Sequence, residues 1–198
     1  MTHAGRKRVV TCGVIAAAVA LSILDHAGAF GYRGDDRLRY DGASCTATRV
    51  VDGDTLDVDL PDGNRPTTQV RLRGIDAPDI AQGPDESDAF YGPQAADFLR
   101  KQVEGRRITL RLDPNRPARD RFDRLLAYVH LEGELISVNE RLIEAGCAYA
   151  DGRRDHVFTL QFSQREQAAQ RAKSGLWAEV QLDQLPKWKQ RVTTSGKP

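Results

Sequence analysis

Four aspartates and an arginine stand out within residues 50–79, which read VVDGDTLDVDLPDGNRPTTQVRLRGIDAPD. Asp52 and Asp54 flank a glycine at the start of one short apolar run. Asp76 and Asp79 bracket Ala77-Pro78 at the end of another, with Arg71 inside it. Carboxylate oxygens suit a hard cation such as Ca²⁺, and a guanidinium suits a phosphate. Taken singly, Asp-Gly-Asp-Thr is a common turn, and Arg-Gly-Ile-Asp-Ala-Pro is a strand running into a proline-stopped loop. Together in one hairpin they read as a metal-and-phosphate site.

The elements that must position them follow from periodicity. Leu56, Val58 and Leu60 alternate with Asp57 and Asp59, and Val70 and Leu72 alternate with Arg71 and Arg73, the period of half-buried strands. Pro61-Asp62-Gly63-Asn64 supplies turn chemistry between them. If the two strands pair, their ends gather the carboxylates. A first strand is expected at 45–51, a fourth carrying Ile108, Leu110 and Leu112, and a fifth at 125–131. Helices are expected around Ala95, Ala96, Leu99 and Val103 (with Gly105 beyond the end), around Val138, Leu142 and Ile143, and at 157–173, before Gly175-Leu176-Trp177. Residues 80–89, rich in Gly, Pro, Asp and Ser, read as a flap beside the carboxylates. Five short strands and three helices, strands mostly first, predict an α+β fold: a five-stranded Greek-key β-barrel of the oligonucleotide-binding (OB) type.

The chain has 198 residues, the size of one domain with tails. Arg6, Lys7 and Arg8 precede an uncharged, mostly apolar run of 16 residues, and Ala27-Gly28-Ala29 follows as an A-x-A site. This is a secretory signal pattern over residues 1–29, too short to span a bilayer comfortably. It predicts a secreted or periplasmic protein with no membrane span in the mature chain, or one anchored by an uncleaved signal. Removing that segment leaves 26 basic and 27 acidic residues. A nucleic-acid partner therefore cannot be argued from global charge and needs a local patch, such as the nine basic residues in 100–124. Residues 30–43 read as a linker, 44–179 as the folded domain and 180–198 as a polar, frayed tail. Cys45 and Cys147 survive cleavage, as a disulfide or as two buried thiols. There is no Cys/His zinc pattern, Gly-rich phosphate loop or Ser-His-Asp arrangement.

The ordered set Val50–Thr55 (VVDGDT), Val70–Pro78 (VRLRGIDAP), Tyr91-Gly92-Pro93, Asp120–Tyr128 (DRFDRLLAY), Val138-Asn139-Glu140, Gly146 and Gly175-Leu176-Trp177 resembles the thermonuclease (staphylococcal nuclease-like) domain over roughly residues 45–177. The resemblance implies Ca²⁺-dependent hydrolysis of phosphodiester bonds in DNA and RNA, by a monomer. By position it implies Asp54, Asp76 and the Ala77 carbonyl as Ca²⁺ ligands, Asp79 as the carboxylate that positions the attacking water, and Arg71 and Arg124 as the phosphate grip. Arg121, Tyr91 and Tyr149 are expected to touch substrate. Asp79 stands where the family has Glu, Phe122 where Tyr is common, and Asp123 where Gly is usual, beside Arg124. These departures favour a slow enzyme, or a rival: an inactive barrel binding nucleic acid or a protein partner.

Overall fold

The computed structural model describes residues 35–81, 83 and 85–195. The expected signal segment, and residues 30–34 of the expected linker, lie outside them. Alternating apolar residues build five strands: β1 (Ser44–Val50), β2 (Thr55–Val58), β3 (Thr68–Leu72), β5 (Arg107–Arg111) and β6 (Leu125–Leu131). They close as a barrel in the order β1-β2-β3-β6-β5, with β1 also pairing β5. All neighbours are antiparallel except β3 and β6. Leu56, Val58, Val70, Leu72, Ile108, Leu110, Leu125 and Val129 point inward and are buried. This is the expected OB-type barrel, and the expected hairpin is there, with Thr55 opposite Arg71 and Leu56 opposite Val70.

The short strands β4 (Ile75–Asp76) and β7 (Tyr149–Ala150) pair outside the barrel, Asp76 opposite Tyr149. The helices α2 (Gly92–Val103), α3 (Val138–Glu144) and α4 (Thr159–Arg171) stand close to their expected positions. Ser137 and Glu140 close a capping box at the start of α3. Asn139, fully buried in that helix, accepts from the Val129 amide and donates to the Arg73 carbonyl, which ties α3 to the strand carrying Arg71.

Two stretches differ from expectation, and the helices number five among the described residues. Within the expected linker, α1 (Asp36–Tyr40) is capped by the Asp35 side chain. It buries Tyr40, whose hydroxyl bonds the Pro61 carbonyl, while Arg37 donates to the Asp113 and Arg116 carbonyls. A helix this short shows no periodicity in sequence; its buried ring and the distant partners of Asp36 and Arg37 hold it. The expected frayed tail instead holds a 3-10 turn (Leu182–Gln184) and then α5 (Lys187–Ser195). Leu176 and Leu185 form a second small core with Tyr149, against which Trp177, Val180 and Trp188 pack. Val180, Leu185 and Trp188 give this segment apolar surface that charge-rich composition conceals.

Candidate active site

Two glycines let the site assemble. A Cβ at Gly53 would lie 2.7 Å from the Ala77 Cβ and 2.9 Å from that of Ala95, so only glycine allows the 52–54 turn to press against the 76–77 segment. Gly74 has φ +76°, and a Cβ there would enter the His156 ring. It makes the tight turn from β3 to β4 that carries Asp76 back alongside Arg71. Asp52 braces the first turn by accepting from the Asp54 amide at 2.9 Å.

The consequence is a shared cation. The Arg71 guanidinium lies between two carboxylates, its Nη1 2.8 Å from Asp54 Oδ2 and its Nη2 3.0 Å from Asp76 Oδ1. Nη1 also donates to the Ile75 carbonyl at 2.9 Å. Asp54 is only 5% exposed; its Oδ2 accepts from the Ala77 amide at 2.7 Å and its Oδ1 from the Thr55 hydroxyl at 3.1 Å. Burial pushes the Asp54 carboxyl far above the ordinary range, with Arg71 opposing and Asp52 and Asp76 adding to the rise. The Asp79 carboxyl is also raised, by desolvation and then by Asp76 and Asp52. Both rises come chiefly from burial, so these carboxyls carry charge at a cost that a cation beside them would relieve.

Arg124 approaches from the β6 side. Its Nε and Nη2 bond Asp120 Oδ2 at 2.8 and 2.7 Å, and its Nη1 lies 3.5 Å from the Thr55 hydroxyl. Asp123, with φ +68°, pairs with Arg65 and Arg119 at 3.3 and 3.6 Å, while Asp120 is the close carboxylate partner of Arg124. Arg71, Arg121 and Arg124 line one open cleft of about 330 Å³ with Phe122 and Arg153. Arg121 stacks on the Phe122 ring at 4.5 Å, and that ring is 63% exposed. Asp79 lines an adjoining hollow with Asp52, Glu86 and Ser87 instead.

Other expected residues have different surroundings. Tyr149 is 2% exposed and meets Trp177 edge-on at 5.5 Å, so its ring has no face for a base. Tyr91 caps α2 with φ +70° and packs beside Phe90 against both cores. Cys45 and Cys147 are free and buried, and burial pushes their thiols up to about 12 and about 11. The sequence reading missed Arg153 and Trp188. Arg153 pairs with Asp151 at 2.7 Å and with Asp76 at 3.3 Å, and Trp188 donates its indole N–H to Asp76 Oδ2 at 2.7 Å. A lone tryptophan in a lysine-rich tail was the signal available for the second.

A model of the family described as "Staphylococcal nuclease homologue" matches residues 69–179. The chain belongs to that family. It is 33% identical to a thermonuclease of Staphylococcus hyicus over 131 residues, 66% of this chain and 73% of the relative. It is 31% identical to a thermonuclease of Staphylococcus intermedius over 175 residues, 85% of this chain and 97% of the relative. A prophage-derived endonuclease of Bacillus subtilis is 33% identical over 139 residues, 67% of this chain and 43% of the relative. Arg71, Asp76, Asp79 and Arg124 lie inside the stretch the family model matches; Asp54 precedes it. Ca²⁺ is the cation the sequence resemblance implies, and its fit is a matter of donor chemistry. Among the described residues no three His, Cys, Asp or Glu side chains gather to hold a metal ion. The proposed set is smaller: two carboxylates and a backbone carbonyl, all hard oxygen donors. Arg71 meets both carboxylates through two different nitrogens, so the pair faces one common gap that the guanidinium spans. In donor chemistry the residues fit.

Proposed function

We propose that this chain is an exported, Ca²⁺-dependent nuclease that hydrolyses phosphodiester bonds in DNA, RNA or both. The observation that carries the reading is Arg71: it spans Asp54 and Asp76 while lining the same cleft as Arg124. Asp54, Asp76 and the Ala77 carbonyl would hold the ion, which supplies positive charge against the phosphoryl oxygens when bound. Arg71 and Arg124 flank the cleft where the phosphate would lie, and their planar forks suit paired oxygens. A guanidinium aimed at the equatorial oxygens stabilises charge that grows in the transition state. Asp79 would accept the proton of the attacking water from the adjoining hollow. Phe122 offers an exposed face for a base beside Arg121. Among the described residues no helix is long and apolar enough to cross a membrane. N-terminal sequencing of exported protein, expected to begin at Phe30, tests the signal.

The purified protein is expected to cleave DNA or RNA with millimolar Ca²⁺ and to stop on chelation. Folded protein that leaves both intact rejects the reading. One observation favours the rival, a barrel that binds without cutting: Asp79 lies in the hollow with Asp52 and Glu86, outside the arginine cleft.

A further inference from the structure

Trp188 is half-buried near the start of α5, beyond the stretch the family model matches. Its indole Nε1–H donates to Asp76 Oδ2 at 2.7 Å. The other oxygen, Oδ1, is the one that meets Arg71 at 3.0 Å and Arg153 at 3.3 Å. The ring is fixed from several sides. Arg153 lies over it at 4.6 Å, Tyr149 meets it edge-on with centroids 6.4 Å apart, and Lys189 lies over it at 5.3 Å. Lys189 in turn pairs with Glu166, which is 6% exposed and whose second oxygen accepts from the Ala150 amide of β7. Because β7 is the strand partner of β4, the lysine that anchors α5 and the tryptophan it carries act on the same ribbon that holds Asp76.

We propose that Trp188 is a positioning residue for the cation site: its neutral N–H occupies Asp76 Oδ2 and completes the bonds that fix the plane of the carboxylate, with Oδ1 turned to Arg153 and to the Arg71 that Asp76 shares with Asp54. The inference rests on the reading of Asp76 as a cation ligand. A carboxylate free to rotate presents either oxygen, both, or neither, and must lose that freedom on binding. A donor without charge removes the freedom without competing with the ion for charge. Outer hydrogen bonds of this kind typically change metal affinity by about 10–100-fold. Phenylalanine at residue 188 keeps the stacking surface for Arg153 and Tyr149 and deletes only the donor.

The test is Ca²⁺ titration of the full chain by calorimetry, wild type against Trp188→Phe, with Tb³⁺ as a luminescent substitute excited through indole. The variant is expected to raise the Ca²⁺ Kd by about tenfold or more with an unchanged melting temperature. Tb³⁺ luminescence sensitised by indole is expected to vanish in Trp188→Phe and persist in Trp177→Phe. Wild-type protein also serves alone. Its Trp188 indole N–H resonance is expected downfield, slow to exchange and moved by Ca²⁺, whereas that of Trp177, whose buried Nε1 has no partner among the described residues, stays in place. Equal Ca²⁺ affinity in both proteins overturns the inference and leaves the metal reading standing. Tighter binding by the variant also overturns it, making α5 an obstruction. If wild type binds neither ion, the metal reading itself falls and takes this inference with it.

Discussion

Two clusters of aspartates and arginines sit on this barrel, and burial has opposite outcomes in them. In one, Arg119 meets both Asp36 oxygens at 2.8 and 2.9 Å and both Asp62 oxygens at 2.9 and 3.1 Å, while Arg65 adds a bond to Asp62 at 2.7 Å. Burial alone would lower the Arg119 pKa, but its bonds to the two carboxylates overcome that and raise it. In the other, Arg71 reaches Asp54 and Asp76 with one nitrogen each, and burial of Asp54 prevails over its pull. The same residue types thus give a satisfied joint in one place and a charge-hungry site in the other. Satisfaction, rather than composition, separates structure from function.

Exchanging the arginines tests this most severely. Arg71→Lys keeps a charge but loses the fork that can hold two oxygens, and is expected to lower kcat/KM on DNA by about 10²–10³-fold while the melting temperature barely moves. Arg119→Ala is expected to cost about 3–5 kcal/mol in urea unfolding, because Asp36 and Asp62 both lose the guanidinium that bonds each of their oxygens, and to leave kcat of the folded fraction unchanged. A stability loss at Arg71 with activity retained would reverse the assignment of the two clusters. The acids should behave likewise. Asp54→Asn is expected to reduce turnover at least about 100-fold with stability held or improved by about 1 kcal/mol, since burying a neutral amide costs less than burying a carboxylate. Asp62→Asn is expected to lose about 1–3 kcal/mol by weakening charge-assisted bonds and to keep activity.

Asp79 gives a smaller and sharper effect. It occupies the hollow beside the cleft, one methylene shorter than the glutamate typical of the family. Asp79→Glu is expected to raise kcat about tenfold if reach is what limits it, since a misplacement near 1 Å can cost about 100-fold. No turnover in either form, with nucleic acid still bound, would support the binding module instead.

The barrel was legible because burial imposes a period of two on β3 and β5, and those strands appear where the pattern puts them, while β6 reads as a continuous apolar run. The grouping of Asp54, Arg71 and Asp76 was also legible, since a hairpin with a fixed turn leaves few alternatives for its ends. What stayed hidden depends on contacts distant in sequence. Tyr149 shows only an aromatic between alanines, and nothing local says that Trp177 and Trp188 cover it. Arg124 lies four residues from Asp120 and one from Asp123, so sequence leaves its partner open; the left-handed backbone at Asp123 decides for Asp120. The helix α5 lies 112 residues from the aspartate it touches, a separation no local pattern encodes.

Asp113 provides a third buried acid and the smallest effect. Burial pushes its carboxyl up, but the Asn115 and Val157 amides at 2.9 and 3.0 Å, the Tyr128 hydroxyl at 3.2 Å and the charge of Arg73 prevail and hold it below the ordinary range. A carboxyl depressed in the folded state binds its proton less readily than the unfolded chain does. Its contribution is therefore complete above the unfolded value of about 3.9 and is lost as pH falls through the lower folded value. His156, whose Nδ1 lies 3.0 Å from the same tyrosine hydroxyl, is pulled down chiefly by burial, so its share begins to fade earlier, as pH drops below about 6.5. These two groups thus withdraw stability on acidification in two stages. Asp54 acts in the opposite sense, its raised carboxyl taking a proton in the folded state first, so the two stages are read as differences between wild type and variants. Asp113→Asn is expected to lower the melting temperature at pH 7 by a few degrees and to flatten only the stage below about pH 4, leaving the histidine stage in place. If thermal melts across pH show the lower stage intact in Asp113→Asn, the acid limb belongs to other carboxylates, and the difference between a satisfied buried acid and Asp54 would need another cause.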